Sequence, residues 1–277
     1  MDQYTNKLFV IKTLKAVVLK QMLEVLKPYI KETNIMITKE FIKISTKDIG
    51  NNSITYIKLD AAKFESYYCK EPIIISIDTS ILFKTIKSTN RRETITLSMD
   101  ENNTDKLRVE LTDLFQGKSK SVEIQLLALE EKMIDIKSME FSSIISMPTT
   151  QFQQIIKDIN LLDGQIVEIK SINKQLIFEC TDGVADYCSS ITEIENNKDH
   201  VEILKQNGED IRNVKFTKSD NSIVQGRFKL SFLMNFIKAS HLCDTMNILL
   251  ANNQPLVLEY FVADLGILRL LLVSLVG

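Results

Sequence analysis

Four short segments of this chain place apolar residues at helical spacing, and the stretches between them read as strands and turns. In Lys15 to Lys31, Leu19, Met22, Leu23, Leu26 and Ile30 form one stripe, while Lys20, Glu24, Lys27 and Lys31 share another face. The second segment, about Thr79 to Thr89, turns Leu82, Phe83 and Ile86 inward and carries Lys84 and Lys87 one turn apart, with Arg91 and Arg92 close behind. The third opens at Pro148, a residue favoured in a first helical turn, and sets Phe152, Ile155, Ile156 and Ile159 against Gln154 and Lys157. In the fourth, about Leu230 to Leu242, Phe232, Leu233, Phe236 and Ile237 are apolar and Asn235 and Lys238 lie outside. Each copy therefore pairs an apolar stripe with a polar face that contains lysine.

Between these helices lie runs such as Ile35 to Ile44, Ile73 to Ile77, Thr94 to Met99, Leu107 to Leu111, Ile166 to Ile172, Gln175 to Cys180 and Leu256 to Val262. They are rich in Ile, Val, Leu, Phe and Thr and are bounded by Asn, Asp and Gly, which predicts antiparallel strands joined by turns. The order of elements repeats, and Ser80 to Ser88 and Ser231 to Ser240 read as divergent copies of one helix, so an internal duplication is expected. The expected organisation is an α+β chain with one domain over 1–125, a connector over 126–142 and a second domain over 143–277. The connector mixes Leu127, Leu129, Met133, Ile134 and Ile136 with Glu130, Glu131 and Lys132; being neither Gly/Ser-rich nor Pro-rich, it is expected to be ordered, with apolar side chains offered to a partner.

With 277 residues the chain is long enough for two cores. Its 34 basic and 36 acidic residues nearly cancel, so any nucleic-acid surface must be local. The cysteines Cys69, Cys180, Cys188 and Cys243 form no CxxC pair and are expected as free, buried thiols in a reducing compartment. The longest apolar run, Leu265 to Val276, is interrupted by Arg269 and is too short to span a bilayer, so it reads as a buried strand and no membrane partner is expected. No phosphate-binding loop, dinucleotide fingerprint, GxSxG or HExxH is present, and His200 and His241 have no partners at metal-ligand spacing. The acidic pairs Asp100-Glu101, Glu130-Glu131 and Glu193/Glu195 fall in predicted loops, where solvated charge is expected. These features argue against an enzyme, a cofactor or a metal site.

Several blocks carry a resemblance: Lys63-Phe64-Glu65-Ser66-Tyr67-Tyr68-Cys69, the strand from Glu93 to Leu97, Met147-Pro148, and Pro255-Leu256-Val257-Leu258-Glu259-Tyr260 running into Ala263-Asp264-Leu265-Gly266. Over nearly its whole length the chain resembles the proliferating cell nuclear antigen (PCNA) family of sliding clamps. The resemblance implies the DNA-clamp fold, with two similar domains, antiparallel sheets outside and two helices per domain lining a central hole. It also implies a non-catalytic homotrimeric ring that encircles double-stranded DNA without reading sequence and acts as a processivity factor. Implied partners are DNA polymerase and other proteins bearing a clamp-binding motif, a clamp loader and further copies of the chain. The implied location is the nucleus or a viral replication compartment.

Residue by residue, the resemblance assigns DNA contacts to Lys20, Lys27, Lys84, Lys87, Arg91, Arg92, Lys157 and Lys238. Gln154 stands where the family often has a cation, which implies a weaker hold by the second domain. It assigns a client-peptide pocket to Ile54, Tyr56, Ile134, Ile136, Pro255, Leu271 and Val273, with Leu271 in place of a common aromatic. It assigns a subunit interface to about Ser119 to Leu127 and Ala185 to Ile191, including Val122, Ile124, Tyr187 and Ser189, with Val122 smaller than the usual residue. The stretch His200 to Gln225 matches the family poorly. Two alternatives stand beside this reading: a subunit of a hetero-trimeric checkpoint or replication clamp, and a monomeric client-binding scaffold without ring closure.

Overall fold

The structure, a computed structural model, describes residues 4–27, 30–48, 50–130, 133–134, 136, 139–193, 214–219 and 222–275. A strand that leads into a helix and then three strands occurs four times. The first copy is β1 (Lys7–Thr13), α1 (Ala16–Leu26), β2 (Glu32–Ile37), β3 (Phe41–Lys47) and β4 (Ser53–Asp60), followed by a short additional strand, β5 (Ser66–Cys69). The second is β6 (Ile73–Asp78), α2 (Thr79–Ile86), β7 (Glu93–Asp100), β8 (Asn103–Asp113) and β9 (Lys118–Gln125). The third is β10 (Ser143–Pro148), α3 (Thr149–Leu161), β11 (Ile166–Ile172), β12 (Gln175–Cys180) and β13 (Tyr187–Thr192), followed by β14 (Lys215–Ser219). The fourth is β15 (Val224–Lys229), α4 (Leu230–Phe236), β16 (Thr245–Leu250), β17 (Leu256–Val262) and β18 (Gly266–Leu272). The repeat is thus finer than the single duplication expected from sequence.

The chain forms two compact units, one of 1–136 with 261–269 and one of 137–260 with 270–277. In the first, β5-β1-β7-β8-β9 make one antiparallel sheet, and β6-β2-β3-β4 make another, with the opening residues of β18 beside β4. In the second, β13-β12-β11-β15 and β14-β10-β16-β17 are the corresponding sheets. Each lead strand joins the meander of the other copy in its unit: β1 pairs with β7, β6 with β2, β10 with β16 and β15 with β11. A helix therefore carries the chain from one sheet to the other. This placement buries its apolar stripe against strand side chains and leaves its lysine face free of the core.

Local chemistry sets the element ends. Asp78 caps α2 by accepting from the N–H of Ser80 at 2.7 Å and of Ile81 at 3.2 Å. Helix α1 stops sooner than the periodicity predicts because Pro28 follows its last cap residue, Lys27, and has no N–H to continue the ladder. Helix α4 likewise tightens into a 3-10 turn over Ile237–His241. Pro148 ends β10 and caps α3 rather than entering its first turn. The run Ile35 to Ile44, expected as one strand, is a hairpin, since Thr38 Oγ1 accepts from the N–H of Glu40 at 3.2 Å and Phe41 at 3.1 Å and turns the chain.

The first core gathers Phe9, Ile11, Leu23, Ile57 and Ile95, and the second Phe152, Phe178, Phe228, Phe236 and Tyr260, all fully buried or nearly so. The Ala-Asp-Leu-Gly block has a physical basis in the first unit. Ala263 takes a left-handed conformation (φ 48°), Asp264 pairs with Lys15 at 2.5 Å, and the Leu265 carbonyl accepts from the Asp60 N–H at 2.9 Å. The exposed Asp264 carboxyl is held below its usual range by the Lys15 partner. A Cβ on Gly266 would lie 2.1 Å from the Lys58 carbonyl oxygen. Gly266→Ala is therefore expected to destabilise the protein by about 2 kcal/mol or more in urea unfolding, since backbone cannot yield as a flexible side chain can; an unchanged midpoint would show that the strand shifts freely.

Candidate nucleic-acid and assembly interface

Lys27, Lys84, Lys87, Arg91, Arg92, Lys157 and Lys238 are all exposed. Lys27 lies over the Phe83 ring at 5.3 Å, which braces the ammonium on the paired faces of α1 and α2. Lys238 sits on the 3-10 turn after α4 and donates to Asn235 Oδ1 at 3.0 Å. Gln154 on α3 donates to Asp158 Oδ1 at 2.6 Å, so Lys157 is flanked along the helix by an amide and a carboxylate. Lys20 differs from the other cations. Half-buried, it donates to the Thr89 carbonyl at 2.9 Å just past the end of α2, where a cation satisfies a backbone acceptor. Its first task is to tie α1 to α2.

The strands assigned to assembly are both terminal in their sheets, β9 in the first unit and β13 in the second. Three of the other terminal strands, β5, β15 and β6, are blunted, while β14 ends its sheet beside β10. On β5, of four residues, Tyr4 stacks over Tyr68 at 4.9 Å. On β15, Asn252 takes up the Gln225 N–H at 2.9 Å, and the Leu275 N–H donates to the Arg227 carbonyl at 2.8 Å. Ser76 on β6 accepts the Leu127 N–H at 2.9 Å. Among the described residues no such cover lies along β9 or β13, and an uncovered edge is a template for another chain. Val122 is half-buried and Ile124 is buried toward the core. Tyr187 and Ser189 are half-buried on one face of β13. Burial pushes the Tyr187 phenol up, and its hydrogen bond with Ser189 offsets part of that.

The connector is anchored strand by strand to the outer face of the β6-β2-β3-β4 sheet. Leu127 bonds to Ser76 on β6, the Glu130 carbonyl accepts from Asn34 Nδ2 on β2 at 2.7 Å, and the Ile134 carbonyl accepts from Ser45 Oγ on β3 at 2.8 Å. These small polar residues alternate with Ile35, Ile44, Ile75 and Ile77, which point into the core. Ser45 is paired with Tyr56 on β4, so Ile134 and the half-buried Tyr56 and Ile54 occupy one face of the first unit. Ile136 is half-buried at the end of the same unit.

In the second unit a cleft of about 640 Å³ is lined by Gln225, Arg227, Asn252, Pro255, Val273 and Ser274, among others. Pro255 is half-buried and Val273 is 50% exposed. Leu271, assigned to the same surface from the resemblance, is only 3% exposed. Leu270, Leu271 and Leu272 are all buried, so this end of β18 is covered on both faces and Leu271 offers a client little side-chain surface. The sequence missed the polar wall of the cleft, because Asn252, in the turn between β16 and β17, and Arg227, on β15, are distant in the chain and line one cleft only when the turn docks on Ile223 and Gln225.

No disulfide joins the four cysteines; Cys69 and Cys180 are buried, but Cys188 is exposed, because it alternates with Tyr187 on an edge strand. Among the described residues no cluster of three His, Cys, Asp or Glu side chains could hold a metal, and no helix is long and apolar enough to cross a membrane. The acidic residues expected to be solvated are partly paired: Asp100 with Lys7, Glu101 with Lys70 at 2.8 Å and Glu193 with Lys174 at 3.5 Å. His200, Glu131, Glu195 and most of His200 to Gln225 lie outside the described residues.

Repeated strand-helix-strand copies with lysine-faced helices, and a terminal strand in each unit that has no cover among the described residues, define a duplicated α+β protein of the clamp class. The profile described as "Proliferating cell nuclear antigen, N-terminal domain" matches residues 8–138, and that described as "Proliferating cell nuclear antigen, C-terminal domain" matches residues 135–275. The chain belongs to the PCNA family. It is 24% identical over 272 residues to the "Probable DNA polymerase sliding clamp 1" of Paramecium bursaria Chlorella virus 1, covering 98% of each chain. It is 25% identical over 263 residues to the proliferating cell nuclear antigen of Dictyostelium discoideum, covering 94% of this chain and 96% of that one. Against the Caenorhabditis elegans proliferating cell nuclear antigen the identity is 21% over 262 residues, covering 95% of each.

Proposed function

We propose that this DNA sliding clamp works as a ring of three identical copies that holds duplex DNA through the lysine faces of its helices and tethers polymerase and other clients. The observation that carries the reading is that exposed cations recur on the helix faces of both units of a PCNA-family chain. Point charges on short helices attract phosphate along any sequence, and their contacts exchange easily, which suits sliding. The reading is of a binding role and not of catalysis.

Ring closure is supported by the two uncovered edges, which lie one in each unit and so favour a head-to-tail contact between copies. Charge complements them, with Lys120 exposed beside Val122 on β9 and Asp186 exposed beside Tyr187 at β13. Clients would be received on apolar surfaces, for which Ile134 and Tyr56 are the candidates of the first unit and, as a separate surface, Pro255 and Val273 those of the second; short helical motifs with a few anchors bind such surfaces with modest affinity. A loader that opens the ring, and a nuclear or viral replication site of action, belong to the same proposal. Light scattering of the purified chain over a range of concentrations tests it: a stable mass of three chains supports self-sufficient closure, whereas a persistent single-chain mass would replace it with a hetero-clamp subunit.

A further inference from the structure

The turn between β8 and β9 presents two large apolar side chains to solvent, Leu114 at 58% and Phe115 at 81% exposure. The turn is built and not loose, because the Asp113 carboxylate accepts from the N–H of Phe115 at 2.8 Å and of Gln116 at 2.9 Å, and Gly117 completes it in a left-handed conformation (φ 62°). The Arg92 guanidinium lies over the Phe115 ring at 6.0 Å. Arg91 and Lys118 are also exposed, Arg91 next to Arg92 in the turn before β7 and Lys118 three residues after Phe115 at the first position of β9. Two carboxylates on the flanking strands accept from backbone donors, Asp113 as above and Glu93 from the Asn90 N–H at 2.8 Å. The surface here presents an exposed aromatic ring with Arg92 over one face and two further cations on the adjoining turns.

We infer that this tip binds single-stranded DNA, with a base stacked on Phe115 and the adjoining phosphates held by Arg91, Arg92 and Lys118. Cations that follow a backbone and an aromatic ring that accepts any base are the two requirements of sequence-tolerant single-strand binding. With Phe115 81% exposed, the tip offers a ring face to a flat base and not the concave pocket that the anchor side chains of a peptide need. The inference goes beyond the clamp reading, which concerns duplex held by helix faces and shares Arg91 and Arg92 but not Phe115 with this tip, and it does not need the ring to close.

Fluorescence anisotropy of the full chain at low salt, with a labelled 20-nucleotide oligo-dT and an abasic oligonucleotide of equal length as probes, tests it. The wild type should prefer oligo-dT, Phe115→Ala should weaken oligo-dT binding roughly tenfold with little change for the abasic probe, and Phe115→Trp should restore it. Equal wild-type affinity for the two probes, or oligo-dT binding that Phe115→Ala leaves unchanged, overturns the stacking site. So does Phe115→Ala weakening binding of a labelled acidic, leucine-containing peptide while oligo-dT binding holds. Retention on closed circular duplex should be unaffected by Phe115→Ala, so a wild-type clamp that fails to stay on duplex would sink the clamp reading and leave the single-strand result to stand or fall separately.

Discussion

Placing lysine at both Tyr187 and Ser189 should convert a three-chain assembly to single folded chains, with the dissociation constant rising roughly a hundredfold or more. The two side chains share one face of β13, and the proposed partner strand β9 already carries exposed Lys118 and Lys120. Like charges brought together on joining cost several kcal/mol and act at every contact of a ring. Neither residue is in the core, so the thermal midpoint of the dissociated chain should move by only a few degrees. Light scattering with circular dichroism reads both quantities. A mass that stays at three chains would show that β13 is not the joining edge.

The other large effect concerns DNA. Replacing Lys84, Lys87, Arg91 and Arg92 by alanine removes four exposed cations from α2 and the turn behind it without touching the core. The lifetime of the loaded protein on closed circular duplex is expected to fall roughly 10- to 100-fold at low salt, and the salt dependence should flatten by about 0.9 in log-log slope for each phosphate no longer neutralised. Lys20 is left out because its bond to the Thr89 carbonyl makes its removal a stability change as well. Retention and salt slope that match the wild type would move the DNA-binding face away from α2.

Much of the architecture was legible because it rests on local rules. Leu19, Met22, Leu23 and Leu26 are spaced for one helix face and are buried on it, and Lys84 and Lys87 are exposed as their spacing requires. The resemblance carried by Ala263-Asp264-Leu265-Gly266 turned out to rest on a left-handed residue, an ion pair and a glycine pressed against backbone. The hairpin inside Ile35 to Ile44 escaped because a threonine hydroxyl, and not glycine or proline, makes the turn. Leu271 escaped because period-two alternation predicts one open face, and both faces of β18 are covered there.

The sequence by itself determined which residues are helical or extended and which faces are apolar or cationic, because these follow from periodicity over a few neighbours. Only the tertiary structure decided that Lys20 is engaged while Lys84 is free to meet a ligand, that Ser76, Asn34 and Ser45 form a track for the connector, and that β9 and β13 end their sheets. Hydrogen bonds that span as many as 96 positions, and the choice of which strand ends a sheet, depend on how distant segments meet, and no local pattern encodes that meeting.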